Sequence, residues 1–222
     1  MENEFKISSP SEYPGILIVE GKDDAVFISH IYPHFQREGY GIHSLDGIDN
    51  AKAYIQNILR LHLEADDNKL RKIALLLDAD VDFSGRCGNI KRWLKMPRMT
   101  PGVFVELNNG IVAGFFCLPD NNHEGGLETL AFHACTHEPW SGLCADYIDK
   151  AEHAHKHEHK NSFKLYYKRI MQAYLASQQL EPPKTPYLCN GVGYAIKHGL
   201  LKIQDEAHFA GIERFLNDFI SQ

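Results

Sequence analysis

Ile73-Ala-Leu-Leu-Leu-Asp78-Ala-Asp80-Val-Asp82 decides the fold when it is read beside Ile16-Leu-Ile-Val-Glu20-Gly21-Lys22-Asp23-Asp24. Both are apolar runs that end in acid, and each is long enough for a strand buried on both faces, as in a parallel sheet. Such strands place their carboxyl ends along one edge, where open α/β folds bind ligands. Glu20, Asp78 and Asp80 are therefore expected to converge there as a hard-oxygen site suited to Mg²⁺ or Mn²⁺.

Working outward from the first run, Asp23 is placed to cap a helix carrying Ala25, Val26, Phe27, Ile28 and Ile31. Pro33 and Gly39 close that segment, and a strand over residues 40–45 leads to a turn at Asp46-Gly47. Ala51, Tyr54, Ile55, Ile58, Leu59 and His62 follow the spacing of one buried helical stripe. An acidic loop over residues 64–67 delivers the chain to the second run. After it come a short helix over residues 90–94, stopped near Pro97, and strands over 103–106 and 111–118 joined by an Asn108-Asn109-Gly110 turn. This alternation predicts a mainly parallel sheet flanked by helices over residues 1–120.

Beyond Pro119 the pattern turns helical. Leu127, Leu130, Ala131 and Ala134 share a face, a polar helix is expected over 143–155, and Phe163, Tyr166, Tyr167, Ile170, Met171, Tyr174 and Leu175 form an amphipathic stripe. Pro182, Pro183 and Pro186 read as a stiff connection, and Phe209, Ile212, Phe215, Leu216 and Phe219 as a final helix. Residues 121–222 are thus expected to be a mainly helical extension packed on the core.

With 44% hydrophobic and 11% aromatic residues, the 222-residue chain can bury a substantial core. Its five cysteines, odd in number and without a Cys-x-x-Cys pair, read as reduced thiols rather than a disulfide framework or zinc ribbon. No apolar run reaches the length of about 18 residues that a membrane span needs, and the N-terminus lacks a signal pattern, so a soluble, cytoplasmic protein is expected. The formal charge of −6 argues against gripping long DNA through a basic surface. Nucleic acid remains open as a partner, because a bound cation inverts the potential of an acidic site.

In extended backbone, Asp78 and Asp80 leave on the same side, and Asp82 repeats the step. Carboxylates this close repel one another, and a divalent cation is a reason to keep them together; capping the next turn is the plainer one. An acid closing an apolar strand, then Gly and a helix, then Asp-x-Asp closing a later strand resembles the Toprim domain over about residues 14–120. That domain occurs in topoisomerases, bacterial primases, small ribosomal-RNA maturases and OLD-family nucleases. Glu20 matches the Toprim glutamate, and Asp78 and Asp80 match its Asp-x-Asp. Glu20-Gly21-Lys22-Asp23-Asp24 looks like the OLD-like and maturase-like form, in which the later acid, here Asp24, also holds metal.

The resemblance extends to His123-Glu124-Gly125-Gly126-Leu127-Glu128. It makes Glu128 a candidate metal ligand with Glu124 second; the alternative is helpful charge at a helix start, which applies to Asp23 and Asp24 as well. It also implies a lysine near the site, for which Lys164 and Lys168 stand in a later helix, the alternative being a solvated face. The activity implied by the resemblance is Mg²⁺- or Mn²⁺-dependent phosphodiester hydrolysis on DNA or RNA. Asp78 and Asp80 would anchor the cation, Asp24 and Glu128 complete its shell, Glu20 serve as ligand or general base, and Lys22 neutralise phosphate charge. The alternative is a non-catalytic Toprim module that binds metal or nucleotide and works with an ATPase or other partner.

Leu-Leu-Leu-Asp78-Ala-Asp80-Val also resembles the first motif of haloacid-dehalogenase-type phosphatases. That family needs a later apolar strand ending in paired acids, and none follows residue 82. Gly21-Lys22 lacks the upstream glycine of a P-loop. His153, His155, His157 and His159 make i, i+4 pairs that could bind Zn²⁺ from a helix, though the pairs point in different directions; a solvated, pH-sensitive stretch is the plainer reading. The aromatic stripe from Phe163 reads as core rather than a base-stacking platform.

Overall fold

A computed structural model of the chain describes residues 9–64, 69–137, 139–154, 163–177 and 191–222. Strands β1 (Gly15–Val19), β2 (Gly41–Ser44), β3 (Lys72–Asp78), β4 (Val105–Glu106) and β5 (Val112–Leu118) form one sheet in the order β2-β1-β3-β5-β4. β1 runs parallel to β2 and β3, and β3 parallel to β5; the two-residue β4 is antiparallel to β5. Both acid-tipped runs are central strands, which is why their apolar residues are continuous rather than alternating.

Helices α1 (Lys22–Ile31), α2 (His34–Arg37), α3 (Ala51–Glu64) and α4 (Phe83–Trp93) belong to the first half of the chain. α5 (Leu127–Cys135), α6 (Trp140–Ala154), α7 (Phe163–Ser177), α8 (Val192–Lys197) and α9 (Ala210–Ser221) follow. Alternate strand residues divide the core in two. Leu17, Val19, Ala74, Leu76, Phe116 and Leu118 pack under α1, α5, α7, α8 and α9. Ile16, Ile18, Ile73, Leu75, Leu77 and Phe115 pack under α3 and α4. Residues beyond 120 therefore share one face of the sheet with α1 and cover most of what α1 leaves.

α9 is clamped at both faces of its apolar stripe. Phe104 stacks on Phe215 at 4.8 Å between ring centres, and Phe35 and Tyr40 meet Phe219 at 5.5 and 5.2 Å. Lys72 at the start of β3 donates to the carbonyls of Phe219 (3.1 Å) and Ile220 (3.2 Å), placing a cation at the helix's negative end.

Several local expectations shift. α4 starts at Phe83, well before residue 90, because Asp82 accepts from the Gly85 amide at 2.8 Å and caps it. Asp23 does not cap α1: its N-cap is Gly21, and Asp24 accepts from the Gly21 amide at 2.8 Å. Asp23 instead accepts from the Tyr194 amide at 3.1 Å, at the start of α8. A Cβ on Gly193 would stand 2.2 Å from the Asp23 carbonyl oxygen, so the missing side chain is what lets α1 and α8 approach. The stripe of α7 is core: Ile170, Met171, Tyr174 and Leu175 are buried. Cys87, Cys117, Cys135 and Cys144 are buried free thiols. No helix among the described residues is long and apolar enough to cross a membrane. His155, His157, His159, Cys189 and Pro182–Pro186 lie outside the described residues, as does most of the acidic 64–67 loop.

Candidate functional site

From β1 the chain moves to β2 on one side, and from β3 it moves to β4 and then β5 on the other. The helices that follow, α1 and α4, lie on opposite faces of the sheet. The carboxyl ends of β1 and β3 therefore flank a topological switch point, the crevice where such sheets bind ligands. Glu20 follows β1 and Asp78 ends β3.

Asp78 is 4% exposed, and its Oδ1 accepts from the Leu127 amide at 3.2 Å, the first residue of α5. The helix N-terminus favours that negative charge. A Cβ on Gly126 would stand 2.6 Å from the Asp78 carboxyl carbon and 2.7 Å from both oxygens, so Gly126 makes room for the carboxylate.

Asp24 projects from the first turn of α1 into the same interior. Burial raises its pKa well above the ordinary carboxylate value, and the charges of Asp78, Asp23 and Glu20 push it further, against the Gly21 amide. Asp23 is raised by burial too, opposed by the amides of α8 and by the charge of Lys168.

Asp80 departs from the extended geometry expected of Asp-x-Asp. Its φ is 57°, in the left-handed region that aspartate tolerates better than most residues. Asp80 and Gly125 exchange two backbone hydrogen bonds, of 2.8 and 2.7 Å. The turn aims the Asp80 carboxylate at Arg86: Nη2 of Arg86 donates to Asp80 Oδ2 and lies 3.9 Å from Glu20 Oε2. Asp82 is spent on capping α4.

The remaining candidates divide. Glu128 sits in the first turn of α5, with its Oε1 3.8 Å from Lys168 Nζ on α7. Lys168 is thus brought to the acidic edge, while the Lys164 side chain lies outside what is described. Lys22 is exposed at the start of α1. Glu124 is exposed and lines a pocket of about 530 Å³ with Asp120, His123, His133 and His208. In that pocket, His123 Nδ1 is 2.7 Å from Asp120 Oδ2, and burial together with the charge of His208 lowers the His133 pKa.

As a donor set, Glu20, Asp24 and Asp78 fit a hard divalent cation: all are carboxylates, and their mutual repulsion is registered at Asp24. Among the described residues, however, no group of three or more His, Cys, Asp or Glu side chains stands ready to hold an ion. The arrangement shows why. Asp80 is turned to Arg86, Asp78 to the α5 amide, and Glu128 to Lys168. Neither Arg86 nor the histidine-lined pocket carries a local sequence signal. Placing the start of α4 near residue 90 hid Arg86; with Asp82 as cap, Arg86 falls one turn into the helix, beside the strand ends.

The raised pKa of Asp24 makes a signed prediction. The folded state holds this proton more tightly than the unfolded chain, so the contribution is fully present below the ordinary value of 3.8 and is lost as pH rises through the higher folded value. Asp24→Asn keeps an acceptor for the Gly21 amide and removes the titration. Metal-free Asp24→Asn is expected to melt above the native chain at neutral pH, and to lose part of the decline in Tm between about pH 4 and neutrality. Thermal melts across that range check it; parallel curves would refute it.

No curated protein and no solved structure matches the chain. A family described as a protein of unknown function (DUF3226) matches residues 14–221, nearly the whole length, and the chain belongs to that family.

Proposed function

We propose that the protein hydrolyses phosphodiester bonds of DNA or RNA with Mg²⁺ or Mn²⁺, at a Toprim-type acidic centre. The observation that carries this reading is the burial of Asp24, 7% exposed, within electrostatic reach of Asp78 and Glu20 at the switch point of the sheet. Buried like charges are costly, and a divalent ion offsets that cost. Of the carboxylates gathered here, Asp24, Asp78 and Asp80 would hold the ion, with Glu128 beside them, and Glu20 would serve as the base. When bound, the ion supplies Lewis-acid stabilisation of charge on the phosphate oxygens.

Glu20, at the end of β1, accepts the proton of the attacking water. The water oxygen bonds to phosphorus as the P–O bond to the ester oxygen breaks, and the departing oxygen takes a proton from solvent water, giving a phosphomonoester and an alcohol. Lys168 offsets negative charge at the α5 side of the edge, where it already faces Glu128. The unbridged thiols support a reducing, cytoplasmic setting.

Incubation of plasmid DNA and of RNA with the protein and Mn²⁺ tests this. Nicking or degradation is expected, reduced about 100-fold or more in Glu20→Gln, the usual scale for loss of a general base. Asp78→Ala with Asp80→Ala is expected to abolish Mn²⁺ binding in calorimetry. Cleavage indifferent to these changes would sink the assignment.

The non-catalytic reading has its own support: the guanidinium of Arg86 already compensates Asp80, and the net charge is −6. It predicts binding to a protein partner such as an ATPase that survives Glu20→Gln, with no cleavage by the native chain.

A further inference from the structure

We propose that Arg86 is a built-in competitor of the divalent ion: its guanidinium occupies the acidic edge, and metal enters by breaking the Arg86–Asp80 pair. The inference rests on the metal-site reading and adds a residue and a gating step to it.

Arginine stays charged at all accessible pH values, so its burial requires paired anions. Arg86 is only 9% exposed, and the anions it meets are the carboxylates that follow β1 and β3, Glu20 and Asp80. Asp80 is also one of the hard donors a divalent ion would take, and Glu20 is the base beside it. Its backbone is fixed one turn into α4, whose N-terminus Asp82 caps through Gly85. Asp80 is equally constrained, by its left-handed turn and its two backbone hydrogen bonds with Gly125. The pair is therefore pre-set by two rigid backbones rather than formed by mobile surface chains.

A guanidinium and a divalent ion cannot both compensate the Asp80 carboxylate at full strength. Metal entry costs the ion pair, and the released guanidinium then stands at the edge of the metal site. Its planar fork suits bidentate contact with phosphate oxygens. Arg86 thus opposes metal in the resting protein and favours a phosphate-bearing substrate once metal is in.

The test compares native protein, Arg86→Gln and Arg86→Lys by Mn²⁺ titration calorimetry, metal-free Tm and cleavage. Arg86→Gln is expected to bind Mn²⁺ roughly tenfold tighter or more, the scale of a close charge pair. It is also expected to melt lower without metal, regain most of that deficit at saturating Mn²⁺, and cleave with lower kcat/KM. Arg86→Lys keeps the charge without the fork and is expected to fall between; if Arg86→Gln fails to fold, tighter binding in Arg86→Lys carries the proposal. Mn²⁺ binding by a variant alone also supports it. Native binding of Mn²⁺ that is unchanged or weakened in the folded variants overturns it and leaves the metal reading intact. Absence of Mn²⁺ binding in all three proteins overturns both.

Discussion

A chain ending at Phe209 is expected not to fold. The cut removes α9, and with it Ile212, Phe215, Leu216 and Phe219, all buried against the sheet. Each such side chain contributes about 1.5–3 kcal/mol when fully buried. Together they approach the whole net stability of an ordinary domain, about 5–15 kcal/mol. The truncation also strips Phe104 and Phe116 of their aromatic partner and Lys72 of its two carbonyls. Far-UV circular dichroism and limited proteolysis check this; a cooperative melt in the truncated chain would contradict it. Phe219→Ala is the graded version, costing about 3–5 kcal/mol in chemical denaturation, as truncation of a buried phenylalanine usually does.

Gly126→Ala is expected to cost about 1.5–3 kcal/mol and to weaken Mn²⁺ binding severely, since its methyl group displaces a charged hydrogen-bond acceptor. The backbone at Gly126 is extended, so any residue can adopt it; space is what alanine lacks. The added methyl would overlap the Asp78 carboxylate, which must leave the Leu127 amide to make room. Losing a hydrogen bond to a charged group accounts for the stability cost, and moving the carboxylate that ends β3 accounts for the binding. Gly125→Ala is a contrasting control. There the added Cβ would meet Thr129 rather than Asp78, and the positive φ of 128° adds strain, so stability is expected to fall with a smaller loss of metal affinity per unit of stability. Equal Mn²⁺ affinity in native protein and Gly126→Ala would show that Asp78 does not anchor the ion.

The strands and their acid ends were legible because their pattern has one physical cause: Ile16–Val19 and Ile73–Leu77 are uniformly apolar, as central strands buried on both faces must be. The stripe of α9 was legible for a similar reason: its periodicity reports a single buried face. Asp23 is ambiguous in the sequence because an acid at a helix start can serve its own helix or any other helix that begins nearby. Only the tertiary approach of α8 decides between them. Arg86 is hidden in the sequence because its helix begins with Phe-Ser-Gly-Arg, too polar for an apolar period, and its inward direction depends on the Asp82 cap. Asp80 was expected in extended backbone, and the two-residue period fails where the chain turns left-handed. Local pattern exposed the elements; the pairings among charged groups come from contacts between distant segments.

The double hydrogen bond between Asp80 and Gly125 joins the connection after β3 to the connection after β5. These are the loops that carry, on one side, the acid facing Arg86, and on the other, Glu124 in the pocket wall and the approach to α5. Two backbone hydrogen bonds fix one loop against the other. The left-handed turn that presents the Asp80 carboxylate to Arg86 is thus held not by its own strand alone but also by the segment that leads into α5.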